Sequence, residues 1–282
     1  MAQLENRTAV VTGASAGIGR ATARLLARHG ARLVLNARRA DRLAELAAET
    51  GATAVPGDIP DPAGPARVVE RCGGRVGILL NNAGYGEPGP VETVSEEDYR
   101  RQFEVNFFSA AALIQLVLPA MRRARGGTIV NVSSVAGKFG YPLFGWYCAS
   151  KHALEGLSDS LRLESAPWGI RVVLIEPGPV ETEFFDVAMK EAQPQMDDGE
   201  SPYRPFFEHA ESIEKDMMKR AATAEDVASV IAHACIADRP RARYAVTAMA
   251  KGSIFLNRIL PQSWLDAGIR KQFRVPGPAV AP

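Results

Sequence analysis

The sequence of 282 residues predicts an α/β protein with one doubly wound parallel sheet and helices on both faces. Short apolar segments alternate with amphipathic segments of helical length from the N-terminus onward. Polar or glycine-rich residues follow the apolar segments, where the strands of a parallel sheet end. We expect one such domain over residues 1–250 and an amphipathic extension over residues 251–282.

The first unit combines a strand at 8–11, a glycine-rich turn and a helix at 20–29 that ends at Gly30. The turn reads TGASAGIG over residues 12–19. Its three glycines permit a tight turn, a close approach of backbone to a ligand, and close packing of helix on strand. The helix N-terminus presents free N–H groups to an anion. We therefore expect the pyrophosphate of a dinucleotide to contact Gly13, Ser15, Ala16, Gly17, Ile18 and Gly19.

The second predicted strand, at 32–37, ends in a pair of arginines, Arg38 and Arg39. A carboxylate at this position binds a ribose 2′-hydroxyl, whereas guanidinium groups attract a 2′-phosphate. The pair therefore favours NADP(H) over NAD(H). In the alternative interpretation both arginines only solvate the start of the next helix, which Asp41 is expected to cap.

Two further strand ends carry candidate cofactor contacts. The segment 55–59 ends in Asp58 and Ile59, and the segment 78–84 ends in Asn-Asn-Ala-Gly. Asp58 is placed to reach an adenine amino group, although a simple turn explains that residue equally well. Two consecutive amides exceed what a turn requires, so the adenosine half of the cofactor is expected to contact Asn82, Ala83 and Gly84.

A candidate catalytic set follows the strand at 128–132. Ser134 lies just after this strand, and Tyr147 and Lys151 lie four residues apart in a predicted helix at 147–164, on one face of it. A cation beside the phenol favours phenolate and lowers the pKa of the tyrosine, which suits a general acid or base. Ser134 is placed to donate to a carbonyl oxygen. A Tyr-x-x-x-Lys pair on its own is more often a surface pair.

These motifs occur in the order and spacing of the short-chain dehydrogenase/reductase family, which the sequence resembles over nearly its whole length. The resemblance implies a single-domain Rossmann fold. It implies that Ser134 polarises the substrate carbonyl, that Tyr147 transfers the proton, and that Lys151 binds the nicotinamide ribose. It further implies that Asn106 supports a proton-relay water. Around the nicotinamide it places Pro177, Gly178, Val180 and Thr182.

Residues 183–222 contain many aromatic and methionine side chains and are predicted to form a substrate lid. A surface helical pair that buries its own apolar face is the alternative. The predicted substrate pocket lies between the lid and the loop before Tyr147. Its walls are Phe184 and Phe185 on one side and Phe139, Tyr141, Phe144 and Trp146 on the other.

A final strand is predicted at 243–247, followed by apolar residues at helical spacing with an interruption at Pro261. We expect this tail to have one of three roles: it covers the cleft, joins a subunit interface or touches a membrane surface. Packing on protein is favoured because the polar face lacks a dense stripe of lysine and arginine. The tail resembles those of hydroxysteroid and retinol dehydrogenase-like members, which implies hydrophobic ketones or secondary alcohols as substrates.

The remaining composition excludes several classes of function. A formal net charge of +1 gives no indication of a nucleic-acid partner. Three scattered cysteines predict free thiols in a reducing compartment, and the histidines lack metal-ligand spacing. No apolar run is expected to approach a membrane span, so a cytoplasmic location is predicted. Family resemblance implies a homodimer or homotetramer.

The sequence thus favours an NADP(H)-dependent carbonyl reductase, reversible as a secondary-alcohol dehydrogenase, that acts on a small-molecule carbonyl or alcohol. One alternative is a 3-oxoacyl-thioester ketoreductase with the same chemistry. Another is a catalytically silent NADP(H)-sensing protein, which the intact Ser134, Tyr147 and Lys151 argue against, because a sensor needs no proton donor.

Overall fold

The computed structural model describes residues 3–275. Seven parallel strands form the central sheet in the order β3-β2-β1-β4-β5-β6-β9, and β7 pairs with β8 in a separate ladder. The strands are Thr8–Thr12 (β1), Arg32–Ala37 (β2), Thr53–Pro56 (β3), Ile78–Asn81 (β4), Gly127–Val132 (β5), Ile170–Glu176 (β6), Val180–Glu181 (β7), Ala222–Thr223 (β8) and Arg243–Ala245 (β9).

Helices connect the strands and cover both faces of the sheet. They are Gly17–Arg28 (α1), Ala40–Thr50 (α2), Gly64–Glu70 (α3), Glu96–Phe103 (α4), Ser109–Arg123 (α5), Gly145–Ser165 (α6), Phe184–Asp197 (α7), Arg204–Phe207 (α8), Ala210–Met218 (α9), Ala224–Ile236 (α10), Ala248–Ile259 (α11) and Gln262–Gln272 (α12). The predicted doubly wound α/β architecture is therefore confirmed.

The strand order reverses between β1 and β4, which are neighbours in the sheet. Connections from β1 run outward through β2 and β3, and those from β4 run the other way through β5 and β6. Ligands of such sheets bind beyond the carboxyl ends of the strands at this reversal. All residues of the central strands β1, β4 and β5 are buried, as expected of a parallel sheet covered on both faces.

The glycine turn joins β1 to α1 with almost no room for side chains. Gly13 has a left-handed backbone with φ of +63°, and a Cβ on Gly19 would lie 2.3 Å from the Gly13 carbonyl oxygen. Helix α1 begins at Gly17, three residues before the predicted start, because the last residues of the turn already form its first turn. At its other end Gly30 has a left-handed φ of 87°, as expected of a C-terminal glycine.

A buried polar chain fixes α6 to the carboxyl ends of β4 and β5. Asn81 donates to the Asn131 side chain at 2.8 Å, and Asn131 donates to the Ser158 hydroxyl at 2.8 Å. Ser158 in turn donates to the Leu154 carbonyl oxygen at 2.6 Å. Because all three side chains are buried, each bond also removes the cost of a buried unpaired polar group. This series of hydrogen bonds sets the position of α6, the helix that carries Tyr147.

Helices α4 and α5 are joined into one helical run by a π-helical turn at Glu104–Phe108. The combined run Glu96–Arg123 is long and apolar enough to cross a membrane by length and composition, so the prediction that no run approaches this length was wrong. The core helix of a soluble protein passes the same test. Leu113, Val117 and Met121 of this helix are buried against the sheet.

The lid and the tail are both helical. The lid consists of α7, α8 and α9, and the pair β7–β8 holds its two ends together at its base. A capping box of Thr223 and Asp226 then starts α10. The last strand is shorter than predicted because Thr247 already caps α11.

The boundary expected between residues 250 and 251 falls inside α11, which begins at Ala248. Pro261 separates α11 from α12, as predicted. Residues 276–282 of the predicted extension lie outside the described residues.

Candidate active site

A cavity of about 440 Å³ opens beyond the carboxyl ends of the central strands. Several parts of the chain contribute to its walls. These include the glycine turn, both arginines after β2, the segment after β4, the predicted catalytic tyrosine and lysine, the segment after β6, and the lid. The structure therefore brings together residues that lie up to 260 positions apart in the sequence, from Gly13 to Phe273. Of the predicted cofactor contacts, Gly19 alone does not line the cavity; it packs beneath the turn instead.

The N-terminus of α1 has the properties of an anion site. Its N-cap, Ala16, makes no side-chain hydrogen bond to the helix, and the first turn contains no carboxylate. The first N–H groups are thus left for a ligand, and the helix dipole favours a negative charge there. At the end of β2, Asn36 uses its amide to donate to the Val55 carbonyl oxygen at 3.0 Å. The residues of this half of the cavity fit the phosphates of a dinucleotide.

Arg39 is engaged by a carboxylate that the sequence did not single out. Its Nη1 lies 2.6 Å from Oε2 of Glu183, and Nη1 of Arg42 lies 2.6 Å from Oε1 of the same residue. Arg39 also donates to the Ser15 hydroxyl at 3.3 Å. The two guanidinium groups lower the pKa of Glu183. An anion that binds Arg39 must compete with Glu183, while Arg38 lines the cavity as an exposed side chain.

Asp58 and Ile59 line the cavity beyond the end of β3. The Asp58 carboxylate forms an ion pair with Arg101 of α4, which fixes the acid against the wall. Asp41 does not cap α2 as expected. Arg39 occupies the N-cap position without a side-chain cap, and Asp41 lies in the first turn, where its charge suits the helix dipole.

Ser134 and Tyr147 meet at the cavity wall. Ser134 follows β5 and accepts a hydrogen bond from the Ala136 N–H at 3.1 Å. A hydrogen bond between the Ser134 hydroxyl and the Tyr147 phenol offsets part of the effect of burial, yet burial raises the pKa of Tyr147 well above its usual range. The prediction that the pKa of Tyr147 is lowered is therefore wrong for the protein alone. The phenol stays protonated at neutral pH.

Lys151 lies one turn beyond Tyr147 on the same helix face, as the spacing predicts. Its Nζ is 5.7 Å from the centre of the Tyr147 ring and donates to the Val132 carbonyl oxygen at 2.9 Å. Burial lowers the pKa of Lys151 to about 8, partly opposed by the charge of Glu155. The lysine is thus still mostly charged near pH 7, but for Tyr147 the effect of burial is the larger one.

Asn106 lies in the π-helical turn and behind the cavity wall. Its Oδ1 accepts from the Tyr85 N–H at 3.0 Å, and its Nδ2 donates to the Tyr85 carbonyl oxygen at 2.9 Å. Only Gly84 separates it from Lys151: a Cβ on this glycine would lie 3.2 Å from Asn106 Oδ1 and 3.5 Å from Lys151 Nζ. The extra residue of the π turn places this amide next to the lysine.

The aromatic walls differ in part from the predicted set. Phe144 and Phe184 flank Tyr147, with ring centres 6.2 Å and 5.4 Å away, and Tyr141 and Phe185 also line the cavity. Phe139 and Trp146 do not line it.

Trp146 stacks on Tyr99 of α4 at 4.2 Å, because neighbouring residues of a helix point about 100° apart and Tyr147 faces the cavity. Phe139 packs edge-on against Tyr141 from behind.

Several apolar residues of the cavity lie outside the predicted pocket walls. Phe206, Ile213 and Met217 come from α8 and α9 of the lid, and Phe273 comes from the end of the tail. The ring of Phe273 lies 5.3 Å from that of Tyr141. Arg274 follows it and donates to the Ser212 hydroxyl of α9 at 2.8 Å. Phe206, Ile213 and Met217 belong to the predicted lid, but which side chains of the lid and the tail reach the cavity depends on the path of both segments.

Metal ligation finds no support in residues 3–275. No group of three or more His, Cys, Asp or Glu side chains there is arranged to hold an ion. The three cysteines in the same range are free and buried, and burial raises the pKa of Cys148 to about 11. Cys148 therefore packs as an unreactive thiol beside Tyr147.

Comparison with known proteins places this site in a family. A family model described as "short chain dehydrogenase" matches residues 7–193. An uncharacterized oxidoreductase of Escherichia coli, YbbO, is 35% identical over 270 residues, which are 92% of this chain and 93% of that protein. An "NADPH-dependent 3-dehydrocapnine reductase" of Ornithobacterium rhinotracheale is 34% identical over 92% of this chain and 95% of its own length. A "3-ketodihydrosphingosine reductase" of Bacteroides thetaiotaomicron is 38% identical over 63% of this chain and 65% of its own length.

Solved structures agree with this placement. A putative NAD(P)-dependent gluconate 5-dehydrogenase of Beutenbergia cavernae with bound NADP is similar with a TM-score of 0.71 and 33% identity, over 86% of this chain and 96% of that one. A 3-ketoacyl-(acyl-carrier-protein) reductase of Brucella melitensis in complex with NADH is similar with a TM-score of 0.72 and 28% identity. The match covers 86% of this chain and 97% of that one.

Proposed function

The chain belongs to the short-chain dehydrogenase family of oxidoreductases, and from this premise we propose that it is an NADPH-dependent carbonyl reductase, reversible as a secondary-alcohol dehydrogenase. The observation that carries the proposal is that Ser134, Tyr147 and Lys151 line the same cavity as the glycine turn. A proton donor and a dinucleotide cradle are thus brought to one site.

NADP(H) is the proposed cofactor. Arg38 and Arg39 line the cavity after β2, where guanidinium groups favour a 2′-phosphate and a carboxylate would instead bind the ribose 2′-hydroxyl. One relative is by name NADPH-dependent, although one similar structure contains NADH. When bound, the nicotinamide supplies or accepts a hydride.

The side chains supply the proton and hold the oxygen. The Ser134 hydroxyl is placed to donate to a carbonyl oxygen and to stabilise the alkoxide that develops from it. Tyr147 holds its proton at neutral pH because burial raises its pKa, so in the reductive direction it donates this proton to the same oxygen. Lys151 beside the ring is placed for the cofactor ribose, and a cation at that point favours the phenolate that remains.

The proposed substrates are hydrophobic ketones or the matching alcohols. The cavity that Tyr147 lines is also lined by Phe144, Phe184, Phe206, Ile213 and Met217, which favour an apolar group on the substrate. Two relatives are named as reductases, one of 3-dehydrocapnine and one of 3-ketodihydrosphingosine.

Replacement of Tyr147 by Phe tests the proposal. The variant keeps the ring but loses the proton donor, so we expect turnover of an apolar ketone with NADPH to fall by roughly 10²–10⁴-fold while the Kd for NADPH changes little. Both quantities are measured on one preparation, by NADPH absorbance and by NADPH fluorescence. If both were lost equally, the catalytic assignment would be wrong. NADPH binding by the wild type without turnover of any ketone or acyl thioester would instead favour a nucleotide sensor.

The assembly and location are further parts of the proposal. Phe108 and Leu116 are 50% and 43% exposed on the helical run 96–123, which supports a homodimer through this helix. Light scattering of the purified protein measures the mass directly, and a monomer at micromolar concentration would contradict the dimer. Three buried free thiols suit the reducing cytoplasm proposed as its location.

A further inference from the structure

The tail formed by α11 and α12 leaves a large apolar surface uncovered. Four large apolar side chains on it are exposed: Phe255 (60%), Leu256 (45%), Ile259 (57%) and Trp264 (68%). The sequence favours packing of the tail on protein, but within residues 3–275 these four side chains remain largely exposed. Apolar side chains concentrated in this way mark a surface that meets another apolar phase or partner.

The inner side of the tail is firmly attached to the walls of the active site. Ala250 is fully buried, and the Asn257 amide donates to the Lys138 carbonyl oxygen at 3.0 Å. A Cβ on Gly178 would lie 3.6 Å from Met249, and Phe273 lines the cavity. Both ends of the tail therefore touch residues of the cavity, while the segment between them carries the exposed apolar side chains.

The charge of the tail is strongly one-sided. Residues 248–275 contain Asp266 as their only carboxylate and the five cations Lys251, Arg258, Arg270, Lys271 and Arg274, in a chain whose formal net charge is +1. These cations form no stripe opposite the apolar face. Lys251 and Arg258 instead lie within one turn of Phe255, at the rim of the apolar surface, and both are exposed.

This combination fits the surface of an anionic lipid bilayer. An exposed tryptophan and aliphatic side chains enter the boundary between headgroups and acyl chains, and cations at the rim meet the headgroup phosphates. A second copy of the chain fits less well. In a two-fold contact through this face, the rim cations Lys251 and Arg258 of the two copies would be brought together, and like charges repel.

We propose that α11 and α12 dock the protein on an anionic membrane surface, with Phe255, Leu256, Ile259 and Trp264 inserted at the headgroup level. The docked tail holds the active-site cavity beside the lipid, from which apolar carbonyl compounds enter. The docking itself is independent of the reductase activity, whereas the entry of substrate from the lipid rests on the proposed function.

Trp264 provides the test. The full-length protein, without cofactor or substrate, is titrated with vesicles of phosphatidylcholine and with vesicles that also contain phosphatidylglycerol. Tryptophan fluorescence and co-sedimentation are recorded. We expect a blue shift and binding with the anionic vesicles, much weaker binding with the neutral ones, and loss of the shift in a Trp264→Phe variant. Leu256→Ser is expected to weaken binding roughly tenfold. Lys251→Gln with Arg258→Gln is expected to weaken it by roughly fivefold per charge removed.

Leu163→Ser is the matched control, because Leu163 is 68% exposed on α6, outside the tail. Unchanged binding is expected for this variant. The proposal is overturned if neither vesicle shifts the fluorescence, or if Leu256→Ser binds like the wild type. It is also overturned if sedimentation velocity shows a dimer that Leu256→Ser dissociates, because the surface then belongs to a second copy. Since no turnover is measured, failure of the reductase proposal leaves this result interpretable.

Discussion

Replacement of Glu183 by Gln tests how the cofactor half of the cavity discriminates between nucleotides. In the protein alone, the Glu183 carboxylate pairs with Arg39 at 2.6 Å, and both side chains are more than one third exposed. An exposed pair of this kind stabilises by about 0.2–1 kcal/mol. If the 2′-phosphate of NADPH binds Arg39, it must replace this pair and then tolerate the carboxylate nearby. Two unit charges about 6 Å apart in water repel by about 0.7 kcal/mol.

Removal of the charge at Glu183 therefore favours NADPH by about 1 kcal/mol, or roughly fivefold in Kd. NADH lacks the 2′-phosphate, so we expect its affinity to change less. The Kd values of both nucleotides are measured by fluorescence titration. The control is Glu49→Gln, which removes a carboxylate of similar exposure that pairs with Arg24 at 2.8 Å on α1 and α2, outside the cavity. Weaker binding of NADPH by Glu183→Gln, or an equal gain for NADH, would refute this reasoning.

Three further predictions concern packing, pH and thiols. Gly19→Ala is expected to abolish NADPH binding or folding, because the new Cβ would lie 2.3 Å from the Gly13 carbonyl oxygen. Gly156→Ala is the control, since a Cβ there has no atom within 4 Å. Normal NADPH binding by Gly19→Ala would contradict the packing argument. Burial lowers the pKa of Lys151 from 10.5 to about 8, so its charge destabilises the folded state below pH 8 and this effect disappears as the pH rises to 10.5. The free energy of unfolding in urea should thus be larger for Lys151→Met than for the wild type by on the order of 3 kcal/mol below pH 8, and this difference should shrink above pH 8. A difference that stays constant with pH would contradict the burial effect. A thiol reagent should find three cysteines only after unfolding, and fast reaction in the folded protein would contradict the burial of Cys72, Cys148 and Cys235.

The central sheet was predictable because its strands are continuous apolar segments that end in polar or glycine residues. The same rule brought Ser134 and the segment 81–84 to one edge of the sheet, and helical spacing brought Lys151 to the face of Tyr147. These predictions need only local sequence and the topology of a parallel sheet. The structure then places Tyr147 and Ser134 in hydrogen-bond contact.

Other features depend on contacts between distant segments and were not predictable. Glu183 reaches Arg39 across 144 positions of sequence, and Phe273 reaches Tyr141 only because of the path of the tail. Trp146 was assigned to the cavity although the helical geometry at Tyr147 directs it elsewhere. The pKa of Tyr147 was misjudged because the sequence indicates the neighbouring charge but not how deeply both groups are buried.

The most direct test of the proposed activity is the initial rate of NADPH oxidation, with NADH in parallel, by the purified wild type. The panel comprises bulky apolar ketones, small ketones, aldehydes, steroids and acyl thioesters. The proposed function predicts turnover with NADPH that is fastest for bulky apolar ketones. Faster turnover with NADH would contradict the role given to Arg38 and Arg39. Absence of turnover across the panel, despite binding of NADPH, would contradict the assignment of this protein as a carbonyl reductase.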